Sequence, residues 1–196
     1  MQLYNIVAPS RGASPLTHTV DGIALHEQVE AMPGLPMGPF ARAADGRIVA
    51  VDAERMLVSA DEGASWQTLV AHPLGPEVRL SGERALISTR SGVLVLAGED
   101  TARARWTWDD ELRDAPGATI PTVAARSRDG GRTWQDVQTL HTGWNGAIRD
   151  ITQLRSGRVL FTTMVMLHDP GRHGVFTFAS DDDGASWTAS NVIDFG

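Results

Sequence analysis

A chain of 196 residues with 42% hydrophobic and 21% charged residues has enough apolar material for a packed core, and no apolar run approaches the roughly 20 residues of a membrane-spanning helix. A net charge of -7 sets the molecule against phosphate backbones, so neither nucleic acid nor a membrane is an expected partner. The absence of cysteine removes disulfides and thiolate metal sites, and all 17 basic residues are arginine, for which biased codon usage is the simplest account.

The opening Met1–Asn5 shows no basic segment followed by an apolar one, so no signal peptide is visible and the compartment stays open. Residues 1–38 contain strand-like segments around Tyr4–Ala8 and His18–His26. Beyond them a pattern repeats. Asp45-Gly46, Ser91-Gly92 and Ser156-Gly157 lie between apolar-rich segments such as Ile48–Val51 and Val93–Leu96, and read as two-residue hairpin turns. Downstream of each stands a box: Ser59–Trp66, Ser127–Trp134 and Ser180–Trp187 all obey S-x-D-x-G-x-[ST]-W. One chance match is expected on the order of once in ten thousand chains of this size, so three are a repeat. In each box the Asp can bond backbone N–H groups inside a tight turn, the Gly can take a positive φ and the Trp can cover an edge.

Each repeat is therefore expected to be a four-stranded meander, with boundaries near 39–71, 84–140 and 149–194 in a single domain. The box resembles the Asp box, or BNR repeat, of the sialidase (neuraminidase) superfamily. That resemblance implies an all-β chain: a β-propeller of four-stranded antiparallel blades, about three of them, or half of a six-bladed ring. In a meander, alternate connections share an end, so small turns and boxes belong to one face. The longer connections 99–120, 141–148 and 167–173 belong to the other, where binding groups are expected.

Counting back from the small-turn glycines brings Arg84 and Arg149 to the same position at the start of the innermost strand of successive blades. Since the sialidases hold the substrate carboxylate with arginines, the resemblance makes these two candidates for a carboxylate clamp; ordinary ion-paired arginines are the alternative. The first repeat has Gly38 at that count, and the family's Arg-Ile-Pro signature is missing before Phe40. Asp150 is a candidate general acid, with Asp110 as its rival in a loop that also carries Asp109, Glu111, Trp106 and Trp108. Carboxylates beside aromatic rings suit a sugar, and Trp108 is the expected stacking residue. His168, Arg172 and His173 offer hydrogen-bond donors on the same face; Pro170-Gly171 makes a turn between them, so no metal and no cofactor are expected.

The resemblance implies an exo-α-sialidase-like hydrolase, or a fragment of one, acting on a sialic-acid-like or other anionic sugar. The family's nucleophile is a tyrosine, and the only tyrosine here, Tyr4, lies outside the blade register, so this chain alone is expected not to hydrolyse sialosides. The alternatives are a non-catalytic propeller that binds glycan or protein, and an assembly module that forms a homodimer through exposed blade flanks.

Overall fold

The three boxes fold into one and the same turn. In a computed structural model, which describes residues 3–6, 18–20, 23–26, 29–32 and 34–194, Ser127 Oγ donates to Asp129 Oδ1 at 2.8 Å and accepts the Gly131 N–H at 2.9 Å. Asp129 also takes the Thr133 N–H at 2.9 Å and the Thr133 hydroxyl at 2.6 Å. Ser59, Asp61 and Ser65 repeat these contacts, as do Ser180, Asp182 and Ser186. Trp66 and Trp134 donate their indole N–H to Gly63 and Gly131 carbonyls at 3.0 and 3.1 Å. Trp187 departs from the pattern: its N–H is buried without a partner, and its ring meets Phe161 edge-on at 5.2 Å.

The strands between these turns form three antiparallel sheets. Two short hairpin-like pairs come first: β1 (Leu3–Ile6) pairs with β4 (Val29–Met32), and β2 (His18–Val20) with β3 (Ile23–Leu25). Ala8, the expected end of the first strand, lies outside the described residues. The first blade is the meander β5 (Phe40–Arg42), β6 (Ile48–Val51), β7 (Arg55–Ser59) and β8 (Gln67–Ala71). The second is β9 (Leu80–Ser88), β10 (Leu94–Asp100), β11 (Thr122–Ser127) and β12 (Gln135–His141). In the third, the first strand is broken into β13 (Asn145–Gly146) and β14 (Ile151–Gln153), both paired with β15 (Val159–Leu167). β15 pairs with β16 (Arg172–Ser180), whose far edge carries β17 (Thr188–Ala189) and β18 (Ile193–Asp194). The fold is thus an all-β propeller of about three blades, with β5, β9 and β14 touching in sequence as the inner strands.

The small turns differ from the expected two-residue type. Ala43 N–H bonds Arg47 O and Gly46 N–H bonds Ala43 O, a geometry repeated at Thr89–Val93 and Leu154–Arg158. These are three-residue loops ending in a glycine at φ +86°, +83° and +101°, the left-handed position of a bulged hairpin.

Alternation along the second blade makes two cores. Leu86, Leu94, Leu96, Val123 and Ala125 face Val49, Val51 and Met56 of the first blade. Ala85, Val93, Val95, Ala97 and Ala124 face Val159, Phe161, Phe176 and Phe178 of the third. The small alanines on this second side make room for the phenylalanines, so the two surfaces fill one layer; each buried Leu, Val or Phe contributes about 1.5–3 kcal/mol. The boxes reach across the same seams. A Cβ on Gly184 would lie 3.0 Å from Val95 Cγ1, so only a glycine at φ +82° lets the third box close over the second blade. Boxes and small turns share one face, leaving the connections 101–121, 142–144 and 168–171 on the other.

Candidate active site

On the connection face, the start of β9 and the end of β10 bring ionisable residues to the inner strands. Neighbouring positions on a strand point to opposite sides. Arg84 turns toward the first blade and is 9% exposed; its Nε donates to Val51 O at 3.1 Å, a second guanidinium nitrogen to Gly38 O at 2.9 Å, and the third to Ser81 O. Burial lowers its pKa, and the charge of Asp52 opposes that shift. Glu83, one residue earlier, turns toward the third blade, where Arg149 reaches it at 2.8 Å.

This geometry corrects the clamp expected of Arg84 and Arg149. The register count placed both near the start of an inner strand, but the guanidinium of Arg84 is consumed by carbonyls at the first seam while Arg149 meets a carboxylate at the second. The third blade adds a further reason: its inner strand breaks between β13 and β14, with Ala147 at φ +57°, so Arg149 and Asp150 lie in the break and both are exposed.

The acidic residues that the structure does bring together are Glu83 and Glu99. Gly98 pairs with Arg84, so Glu99 and Glu83 are cross-strand neighbours at a bulge, both on the Arg149 side. Glu99 is 3% exposed; Ser81 Oγ donates to its Oε2 at 2.9 Å, and its Oε1 has no partner. Burial pushes its pKa up to about 7, the Ser81 hydrogen bond resists, and the nearby Glu83 charge adds to the rise. Glu83 Oε2 is likewise buried without a partner. Among the described residues these are the only two buried carboxylate oxygens so placed. Adjacent Asp100 shows what a structural acid looks like here: fully buried, it accepts from the Arg79 and Ala102 N–H groups and pairs with Arg103 at 2.6 Å. The sequence did carry a signal for Glu99, a charged residue ending the apolar run Leu94–Gly98.

The other candidates fall into three places. Asp150 caps its own strand by accepting the Ile151 N–H at 2.8 Å, and lines a cleft of about 490 Å³ with Arg149, Thr152, Leu160, Thr162 and Thr177 on the outer flank of the third blade. Asp110, exposed, accepts the Trp108 indole N–H at 3.1 Å. Arg172 is committed: it grips Asp194 with two hydrogen bonds, 3.1 and 2.6 Å, and donates to the His168 and Pro170 carbonyls. His168 Nδ1 lies 3.0 Å from both oxygens of Asp114. Burial raises the pKa of that aspartate, but hydrogen bonds from His168 and from the Ala115 and Asp169 N–H groups outweigh it and hold the carboxyl below its usual range. Both pairs therefore fasten the 168–172 turn, and they engage the guanidinium of Arg172 and the Nδ1 of His168, two of the donors expected to face a ligand. His173 is exposed, and its ring stacks on Trp144 at 4.8 Å and 8°. The side chain of Tyr4 lies outside what the structure describes. Among the described residues no three His, Asp or Glu side chains gather as metal ligands.

The fold and site together define a carboxylate-bearing propeller. No protein-family model and no curated protein sequence matches the chain. Among solved structures it is similar to an α-L-arabinanase of Penicillium chrysogenum complexed with arabinobiose, at 14% identity and a TM-score of 0.52, over 79% of this chain and 47% of that one. A GH93 α-L-arabinofuranosidase of Fusarium graminearum gives 14% identity and a TM-score of 0.49 over 80% and 48% of the two chains. An endo-arabinase of Bacteroides thetaiotaomicron gives 16% and 0.41 over 76% and 57%. The chain spans about half the length of the first two. The first likeness shows the fold.

Proposed function

We propose that this chain contributes the Glu83–Glu99 acid site of a propeller glycoside hydrolase, with a terminal neutral sugar as the group it acts on. The observation that carries the reading is Glu99: a carboxyl 3% exposed, with a pKa raised to about 7 and one oxygen left without a partner. A carboxylic acid that keeps its proton at neutral pH can donate it to a leaving glycosidic oxygen, and Glu83 beside it offers a second carboxylate with one oxygen held by Arg149. Enzymes that cleave glycosides use such carboxyl pairs, and the fold neighbour whose ligand is arabinobiose is an arabinanase.

A neutral sugar is favoured over the sialic acid suggested by the boxes. A carboxylate ligand calls for free guanidinium groups, whereas Arg84 is spent on carbonyls and Arg149 on Glu83. The exo-α-sialidase reading therefore has only the box motif behind it.

The test follows the Glu99 carboxyl carbon by NMR from pH 4 to 9, with and without arabinobiose. A midpoint near 7 that moves when the disaccharide is added is the expected result. A midpoint in the ordinary glutamate range, unmoved by arabinobiose, overturns the proposal. In any assembly containing this chain, Glu99→Gln is expected to lower hydrolysis of an aryl α-L-arabinofuranoside about 100-fold or more, and an aryl α-sialoside is expected not to turn over.

A further inference from the structure

Between β10 and β11 the chain leaves the blade for 21 residues, 101–121, and carries two tryptophans into solvent: Trp106 is 53% and Trp108 45% exposed. Their rings lie nearly parallel, 16° apart with centroids at 6.4 Å, and Trp106 meets Trp144 at 6.0 Å, which in turn stacks on His173. A loop free to move would fold such rings inward to leave water. This one is held. Arg105 bridges Thr119 and Asp109 bridges Asp114 in antiparallel fashion, Gly171 N–H bonds Arg113 O at 3.0 Å, and Asp114 is locked to His168. The Trp108 indole N–H is fixed by Asp110, whose second oxygen is left to solvent.

We propose that Trp106 and Trp108, backed by Trp144 and His173, form a rigid platform that binds successive units of a neutral linear oligosaccharide. This rests on the reading of the ligand as a glycan, but requires no catalysis at Glu99. A sugar ring offers an apolar C–H face that packs on an indole and a rim of hydroxyls that need acceptors and donors. Here Asp110 stands beside Trp108 as an acceptor, and the 6.4 Å between the stacked Trp106 and Trp108 rings is on the scale of one monosaccharide. A protein partner fits less well, because two half-exposed indoles provide far less than the roughly 800 Å² per side of a stable interface.

The platform and the acid site are reached from the same connection. Trp144 precedes Asn145, whose side-chain oxygen takes the hydroxyl of Thr122, the cross-strand neighbour of Glu99; Arg149 then returns to Glu83.

The test is calorimetric titration of the chain with linear arabino-oligosaccharides and xylo-oligosaccharides of two to five units. Affinity is expected to rise with length in at least one series, and Trp106→Ala or Trp108→Ala to weaken the longest member about tenfold, with Trp106→Tyr recovering most of the loss. Length-independent affinity, no binding in either series, or unchanged affinity in both alanine variants overturns the platform. So does light scattering that shows the wild-type chain self-associating and either alanine variant monomeric. Glu99→Gln separates the two proposals: its affinity is still expected to rise with oligosaccharide length, and the alanine substitutions to weaken its binding as they weaken that of the wild type. Loss of binding in Glu99→Gln with none in the tryptophan variants places the ligand at the acid site alone.

Discussion

The two seams of the second blade each bury one ionisable group, Arg84 on β9 and Glu99 on β10, and they do so in opposite ways. At the first seam Arg84 puts its guanidinium nitrogens onto carbonyls of Gly38, Val51 and Ser81, so the charge is surrounded by dipoles aimed at it. At the second seam Glu99 receives one hydroxyl and keeps one oxygen bare, with another carboxylate beside it. A buried group with every hydrogen-bonding position filled is what a stable fold requires; one left incomplete costs stability. Burial and charge alone would have marked both residues as candidates. Hydrogen-bond completeness separates them.

The sharpest way to break this comparison is to remove each group in turn. Arg84→Ala leaves several buried carbonyls without donors, and at 1–3 kcal/mol for each orphan the expected loss is about 4 kcal/mol in unfolding free energy. Urea denaturation of the purified chain measures it. A loss below 1 kcal/mol would mean that water replaces the guanidinium, and that Arg84 is not the structural keystone of the first seam.

Glu99→Gln should act in the reverse direction, and only at high pH. The folded carboxyl titrates at about 7 against 4.5 for an ordinary glutamate, so between these values the folded chain holds a proton that the unfolded chain has lost. The Glu99 contribution to stability is therefore greatest below pH 4.5, falls as pH rises through the window, and levels off above 7; 2.5 pH units correspond to about 3 kcal/mol. Glutamine stays neutral throughout, so the variant is expected to gain that amount on the wild type at pH 8 relative to pH 4.5. Parallel denaturation curves at both pH values decide it, and a pH-independent difference would show that Glu99 is charged when folded.

How much of this could be read from the sequence follows from the range of the interactions involved. The blades were legible because box and small turn are local: Ser127, Asp129 and Thr133 bond within seven residues of one another, and the pattern recurs three times. Even there, the bulged form of the turns at Gly46, Gly92 and Gly157 depends on twist that the dipeptide alone does not reveal. The site was less legible because its contacts are long-range. Arg84 and Arg149 share a register position, but the strand break at 147–150 and the alternation of Glu83 with Arg84 decide which seam each serves. Arg172 and His168 looked like free donors only while Asp194 and Asp114 were out of sight. Trp108 beside Asp110 was visible because the two are close in sequence; that Trp144 meets Trp106, and His173 stacks on Trp144, from other connections was not.

The boxes supply a milder contrast with Glu99, since their aspartates are carboxylates whose oxygens are filled by their own turn. For Asp129 burial raises the pKa, but the Thr133 hydroxyl and N–H and the Ser127 hydroxyl outweigh it, and the carboxyl sits below the usual value of 3.8. The sign is opposite to that of Glu99: the folded chain releases its proton more readily than the unfolded one, so the stabilisation is complete above pH 3.8 and is lost as pH falls through the folded value. Asp129→Ala removes three hydrogen bonds from a turn close to solvent, and the expected loss near neutral pH is about 2 kcal/mol. At pH 3 the unfolded wild-type chain binds a proton at this carboxyl that the folded chain resists, so the gap between variant and wild type should narrow. Thermal melts of both proteins at pH 7 and pH 3 measure this. A gap that widens in acid would mean that the neutral Asp129 is the form the turn prefers, and the filled-carboxylate account of the boxes would fail.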